Sequence, residues 1–323
     1  MTDTRGPLPI VVGVDGSAPA LRALDWSVAE AVAMHRPLHI VHCLTGPLMR
    51  YPFVSSGTGP PDGGFRVAAQ RVLTDALQYA QSAAPNIRVT TELVLDAPVS
   101  TLLRKALDAE FLVVGSGAST HLVGIRAESV GLTLAAHAPC PLVVVHSIPG
   151  DDPRHYEGGI VVGVARSHLS TATIRFAFQQ AARRKVGLTA VWVWPPPVWG
   201  YPRLVTGLDR VEAAERQYLV KALAAERHQF PDVELDVKLV RHHLAGRALV
   251  VESADADLLV VGGGHGGLAG LLGGSITRSV VEHAKCPVAI VRREAATNGG
   301  TPTVPSQQSG GSRVLAEPRR SSG

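Results

Sequence analysis

The chain has 323 residues, 46% hydrophobic and 18% charged, with a mean hydropathy of +0.16 and a formal net charge of +4. That length suits two domains with ample apolar surface for their cores, and the small charge excess, scattered without basic runs, leaves no nucleic-acid footprint. No stretch approaches the roughly 18 consecutive apolar residues of a membrane helix, and residues 1–6 lead into a strand without an apolar leader, so a cytoplasmic protein is expected.

In chain order, Pro9-Ile10-Val11-Val12-Gly13-Val14 is a β-branched run ending in the turn Asp15-Gly16-Ser17. Leu21, Leu24, Val28 and Ala31 then recur at helical spacing, and Pro37 closes that helix before a strand over residues 38–44. Residues 45–64 are crowded with Gly and Pro and read as a surface loop. A helix over residues 67–84 puts Leu73, Ala76, Leu77 and Ala80 on one face. A strand over 87–95, a short helix over 99–107 and the buried strand Phe111-Leu112-Val113-Val114-Gly115 follow, then a helical segment to His137 and a last strand over 141–146.

The pattern then begins again. Ile10-Val11-Val12-Gly13-Val14 is matched by Ile160-Val161-Val162-Gly163-Val164, an offset of 150, and His137-Ala138-Pro139-Cys140-Pro141 by His283-Ala284-Lys285-Cys286-Pro287, an offset of 146. Two copies of one α/β unit explain the match: residues 7–148 and 158–293, followed by a tail over 294–323 whose Gly, Ser, Pro, Thr and Gln content predicts disorder. Strands alternating with helical segments predict a parallel sheet in each copy, covered on both faces, with its ligand crevice beyond the carboxyl ends of the strands.

The second copy carries the densest functional signal. Leu258-Leu259-Val260-Val261 reads as a buried strand and is followed by Gly262, Gly263, Gly264, Gly266 and Gly267, then Gly274-Ser275 opening a helix in which Ile276 and Val280 share a face. Bare glycine amides and the free N–H groups of a helix start form a natural phosphate cradle. The dinucleotide fingerprint formally matched by Gly262, Gly264 and Gly267 follows a late strand rather than the first, and no G-x4-G-K-[ST] occurs. Thirteen histidines are dispersed without metal spacing, and Cys43, Cys140 and Cys286 are too few and too far apart for a disulfide framework, so they read as small buried hydrophobes. Trp192 and Trp194 read as a packed strand end.

With Val11-Val12-Gly13-Val14-Asp15-Gly16-Ser17 as opening strand and turn, the glycine-rich run through Ser275, and Cys-Pro before a valine-rich strand in both halves, the chain resembles tandem members of the universal stress protein family. The resemblance implies two tandem Rossmann-like (adenine nucleotide alpha hydrolase-like) domains, each a five-stranded parallel sheet with flanking helices. It also implies pairing through the last strands, within the chain or as a homodimer. In many members ATP, with accompanying Mg, is held by G-x2-G-x9-G-[ST] and an acidic residue after the first strand contacts the nucleoside; the roles are regulatory rather than enzymatic.

The site residues so implied are Gly13, Asp15, Gly115, Ser116 and Ser129 in the first half. In the second they are Gly163, Gly262, Gly263, Gly264, Gly266, Gly267, Gly274, Ser275 and Ile276. Each half departs from the pattern. The first keeps Asp15 but has Ala118 and Glu128 where glycines stand, and the Glu128 carboxylate would repel phosphate. The second keeps glycines at a spacing one residue shorter, and Ala165-Arg166 replaces the Asp-Gly turn, at a cost of about 1.5–3 kcal/mol for a lost charged hydrogen bond. The second half is therefore the better nucleotide site. The expected function is ATP-dependent regulation in the stress response, with a nucleotide-free scaffold of the same fold as the alternative.

Overall fold

The structure, a computed structural model, describes residues 6–44, 63–116, 130–146, 158–165, 170–195, 208–263 and 275–292. The first half runs β1 (Ile10–Gly13), α1 (Ala18–Met34), β2 (Leu38–Cys43), α2 (Gly63–Ala83), β3 (Val89–Val94), α3 (Pro98–Ala106), β4 (Phe111–Ser116), α4 (Val130–His137) and β5 (Leu142–His146). The second repeats it as β6 (Ile160–Val164), α5 (Ser170–Arg184), β7 (Leu188–Trp194), α6 (Leu208–Gln229), β8 (Leu235–Arg241), α7 (Ala245–Glu252), β9 (Leu258–Gly262), α8 (Ser275–His283) and β10 (Val288–Val291).

All ten strands form one sheet in the order β3-β2-β1-β4-β5-β10-β9-β6-β7-β8. Pairing is parallel within each half; the halves join where β5 and β10 run antiparallel, with Leu142 opposite Ile290 and Val144 opposite Val288. Pairing through the last strands is thus realised inside one chain. The apolar runs need cover on both faces. Ile10, Val12, Ile160 and Val162 belong to one core cluster with α1, α2, α5 and α6, whereas Val11, Leu112, Val144 and Val161 belong to another with α3, α4, α7 and α8.

The duplication extends to backbone detail. α1 ends on His35 at φ 52° and α5 is followed by Lys185 at φ 57°, both left-handed and 150 residues apart. The buried face of α1 comprises Ala20, Ala23, Leu24, Val28 and Ala31, joined by Ser27 and Glu30, while Leu21, placed there by spacing, is half exposed. In α2, Leu73, Ala76 and Ala80 are buried and Leu77 lies at the edge of the face. Trp192 and Trp194 are buried as expected, with Tyr218 edge-on to Trp192 at 5.5 Å and the Arg241 guanidinium 5.0 Å from the Trp194 ring centroid. Cys140 and Cys286 are buried; Cys43 is half-buried.

The halves also hold each other through their ends. His146, last in β5, lies 2.8 Å from the Val281 carbonyl near the end of α8 and 3.0 Å from the Cys286 carbonyl. Its counterpart 146 residues on, Arg292, donates to the Ala136 carbonyl near the end of α4.

Candidate functional site at the carboxyl edge

In an open parallel sheet, ligands bind where the strand order reverses, and here that point lies between β1 and β4 and again between β6 and β9. At the first, Gly13, Asp15, Val41, Cys43, Leu102 and Gly115 surround a cavity of about 150 Å3. This is smaller than the roughly 300–1,000 Å3 of whole-ligand sites and matches one ring system with the remainder of a ligand lying outside it.

The turn beside the cavity is built locally. Asp15 Oδ1 accepts from the Ser17 amide at 2.9 Å, Ser17 Oγ accepts from the Ala20 amide at 3.4 Å as the α1 cap, and Gly16 takes φ +81°. The Asp15 side chain stays at the solvent rim. Behind it, buried His42 places Nδ1 2.6 Å from the Val14 carbonyl, which requires the proton on that nitrogen. Burial pushes the Cys43 thiol up from its ordinary value, against a smaller opposing pull from Thr101, so the thiol remains protonated.

The glycines divide by what surrounds them. A Cβ on Gly115 would stand 2.4 Å from the Pro19 carbonyl carbon, so Gly115 is demanded by the close approach of α1 to β4. Ser116 continues the ladder opposite His146. On Gly13 a Cβ would meet Leu102 Cδ1 at 3.2 Å, and on Gly163 it would meet Leu249 Cδ1 at 2.8 Å, the same contact in each half. Gly262 is exposed at the end of β9, and among the described residues a Cβ there would meet Thr173 Oγ1 at 3.3 Å. Gly263 differs from the cradle role expected of it. Its amide donates to the Val291 carbonyl at 2.9 Å and is consumed by the sheet.

Gly264, Gly266, Gly267 and Gly274, with Ser129, Ala118, Glu128 and Arg166, lie outside the described residues. The helix expected after Gly274 is α8, beginning at Ser275. Its buried face is Thr277, Val280 and Val281, and Ile276 departs from the expectation that it shares this face, being 38% exposed. Its counterpart in the first half, Val130, lines the cavity there, so position 276 belongs to the crevice mouth rather than the core. Arg278 places Nε 3.0 Å from Glu282 Oε1 along the exposed side of α8, a surface pair.

Sequence reading missed Val41, Leu102 and Pro98 as cavity walls. Their signal was available in the rule that places the ends of neighbouring strands and the β3–α3 turn around the same crevice. Among the described residues no cluster of three or more His, Cys, Asp or Glu side chains is arranged for a metal, and no helix is long and apolar enough to cross a membrane.

The sequence profile of the Universal stress protein family matches residues 8–146 and again residues 159–292. The chain belongs to the Universal stress protein family. Universal stress protein Rv2005c of Mycobacterium tuberculosis (strain ATCC 25618 / H37Rv) is 35% identical over 306 residues, covering 91% of this chain and all of the relative. Universal stress protein Rv2623 of the same strain is 33% identical over 307 residues, 92% of this chain and all of the relative. Among solved structures, a universal stress protein from Archaeoglobus fulgidus DSM 4304 superposes with a TM-score of 0.62 at 14% identity, covering 88% of this chain and 98% of the other. At that identity the likeness concerns the fold: two tandem Rossmann-like units sharing an edge.

Proposed function

We propose that this universal stress protein is an ATP-binding regulator of the stress response, with the triphosphate held mainly in the second half. The observation that carries the reading is that β9 ends at the exposed Gly262, beside β6, and α8 begins at Ser275, with a glycine-rich segment spanning the two. The first turn of a helix has backbone amides without intrahelical partners and carries the positive end of its dipole, the pairing an anion needs. Gly264, Gly266, Gly267, Gly274 and Ser275 are the phosphate ligands in this reading, and Mg accompanies the nucleotide from solvent. Gly163 and Ile276 border the nucleoside. Ala165 withholds the acid that Asp15 supplies in the first half, so affinity is roughly ten- to a hundredfold below that of a site with both features.

The regulatory step follows from where α8 lies. It packs on α4 of the first half and meets His146 near its far end. A ligand at its N-terminus thus bears on the seam between the halves, and through it on surfaces that partners touch. No catalytic turnover is required.

Native mass spectrometry of the purified protein and calorimetry with ATP test the reading. Wild type is expected to bind, Gly274→Glu to lose at least about tenfold in affinity, and Asp15→Ala to retain it. Equal binding by wild type and Gly274→Glu overturns the site assignment. Absence of binding in both favours the nucleotide-free scaffold, for which Glu128 and Ala165 are the favouring residues.

A further inference from the structure

The seam between the halves has an approximate two-fold axis, because α1 and α5 are the same helix 150 residues apart and β5 pairs antiparallel with β10. The axis exchanges Trp26 with Phe176, Glu30 with Gln180 and Met34 with Arg184. Both middle positions are buried, Glu30 at 6% exposure and Gln180 at 1%. Their surroundings are opposite. The Glu30 carboxylate accepts from Arg184 of the other half, whose guanidinium also lies 5.7 Å from the Trp26 ring centroid. Arg183 adds a second positive charge felt by the same carboxylate. At the related position the axis brings Gln180 opposite Met34, and the Gln180 amide has no hydrogen-bond partner among the described residues.

We propose that this face is a recognition surface for an unlike half, built to reject its own kind. Two first halves joined across the same axis would set each Glu30 against Met34, burying two carboxylates with neither Arg183 nor Arg184 across from them. Two second halves would set Gln180 against Arg184 twice, leaving each partly buried Arg184 guanidinium without the Glu30 carboxylate. Only the unlike pair neutralises its buried charge. Its cost is one poorly satisfied amide, and an unpaired buried ion costs far more than an unpaired neutral group. The partner that fits either face is therefore the other half of a chain of this kind, whether its own or that of a second copy, and not a repeat of the same half.

The test uses the full chain carrying a protease site within residues 147–157, cut after folding, refolded from urea and weighed by native mass spectrometry. Cut wild type is expected to give unlike pairs in at least about a hundredfold excess over like pairs. The variant Glu30→Gln/Arg184→Met, in which both positions across the axis become Gln facing Met, is expected to bring like pairs within about tenfold of unlike ones. Statistical mixing in wild type overturns the proposal, as does undiminished selectivity in the variant. The intact chain supplies a second measurement that does not depend on refolding of the cut halves. Arg184→Glu should lower the thermal midpoint and Glu30→Arg added to it should restore most of the loss; no restoration overturns the proposal.

Discussion

Replacing Gly115 by alanine separates a packing role from a ligand role at a residue that motif reading assigns to the nucleotide. The added Cβ would stand 2.4 Å from both the carbonyl carbon and the oxygen of Pro19 and 2.6 Å from the Ala20 nitrogen. Carbon atoms rest at about 3.5–4.0 Å, so β4 and the first turn of α1 must separate by about 1 Å. Both sides of the clash are backbone, and no rotamer relieves it. Overpacking of this kind costs about 1–3 kcal/mol, and the upper half of that range applies because the moving helix carries the buried Ala20, Ala23 and Leu24. Urea denaturation provides the measure: the Gly115→Ala midpoint falls at unchanged m. Trp26, the only tryptophan before residue 192, helps report on the first half. A Gly115→Ala protein within about 0.5 kcal/mol of wild type would refute the packing argument.

Three further outcomes are expected. Burial lowers the His146 pKa below its ordinary value despite the opposing pull of the two carbonyls, so the unfolded ring takes up a proton before the folded one does. The stability His146 supplies is thus present above pH 6.5 and lost as pH falls below it, and the midpoint gap between wild type and His146→Gln should shrink from pH 7.5 to 5.5; a gap that widens toward acid would mean an imidazolium donating to both carbonyls. Burial pushes the Cys140 thiol up to about 12 and Cys286 up to about 11, so neither should react with a thiol reagent at pH 8 unless the protein unfolds, as mass spectrometry of the labelled native protein would record. Lys105→Ala, which removes a partly exposed partner 2.6 Å from Glu92, should cost under about 1 kcal/mol in thermal or urea unfolding, and a larger loss would show the pair to be structural.

The alternation of β-branched runs with helical spacing made the fold legible, because central strands covered on both faces must be apolar throughout, as residues 10–12, 112–114 and 259–261 are. The repeat revealed the duplication, since two copies of a packing solution keep the same residues at the same sites. Helix faces were read less well at their margins. Leu21 and Ile276 have the right spacing but sit in first turns that overhang the sheet edge, where periodicity carries no information on what lies opposite. Gly263 was misread for a related reason: a glycine after a strand looks free, and only the register with Val291 reveals that its amide is already used. The seam's pairing through the last strands was expected, but its side-chain partners were invisible for a physical reason, because Glu30 and Arg184 lie 154 residues apart and meet only through the antiparallel joining of β5 and β10.

Differences between the two halves sort into compensated and uncompensated changes, and the sorting separates structure from ligand. On the β2–β3 side, Glu92 pairs with Lys105 at 2.6 Å; at the matching positions Lys238 faces Glu252 at 3.4 Å. Both charges have reversed together, so what that place in the fold requires is neutrality, not a particular sign. The crevice behaves differently. Asp15 gives way to Ala165 with Arg166 next to it in place of Gly16, and along the neighbouring strand His42 and Cys43 give way to Trp192 and Val193, each replacing a polar or ionisable group by a less polar one. On the proposed function, these changes leave the second crevice without the acid and the imidazole that flank the first, so the two halves would hold a nucleoside differently.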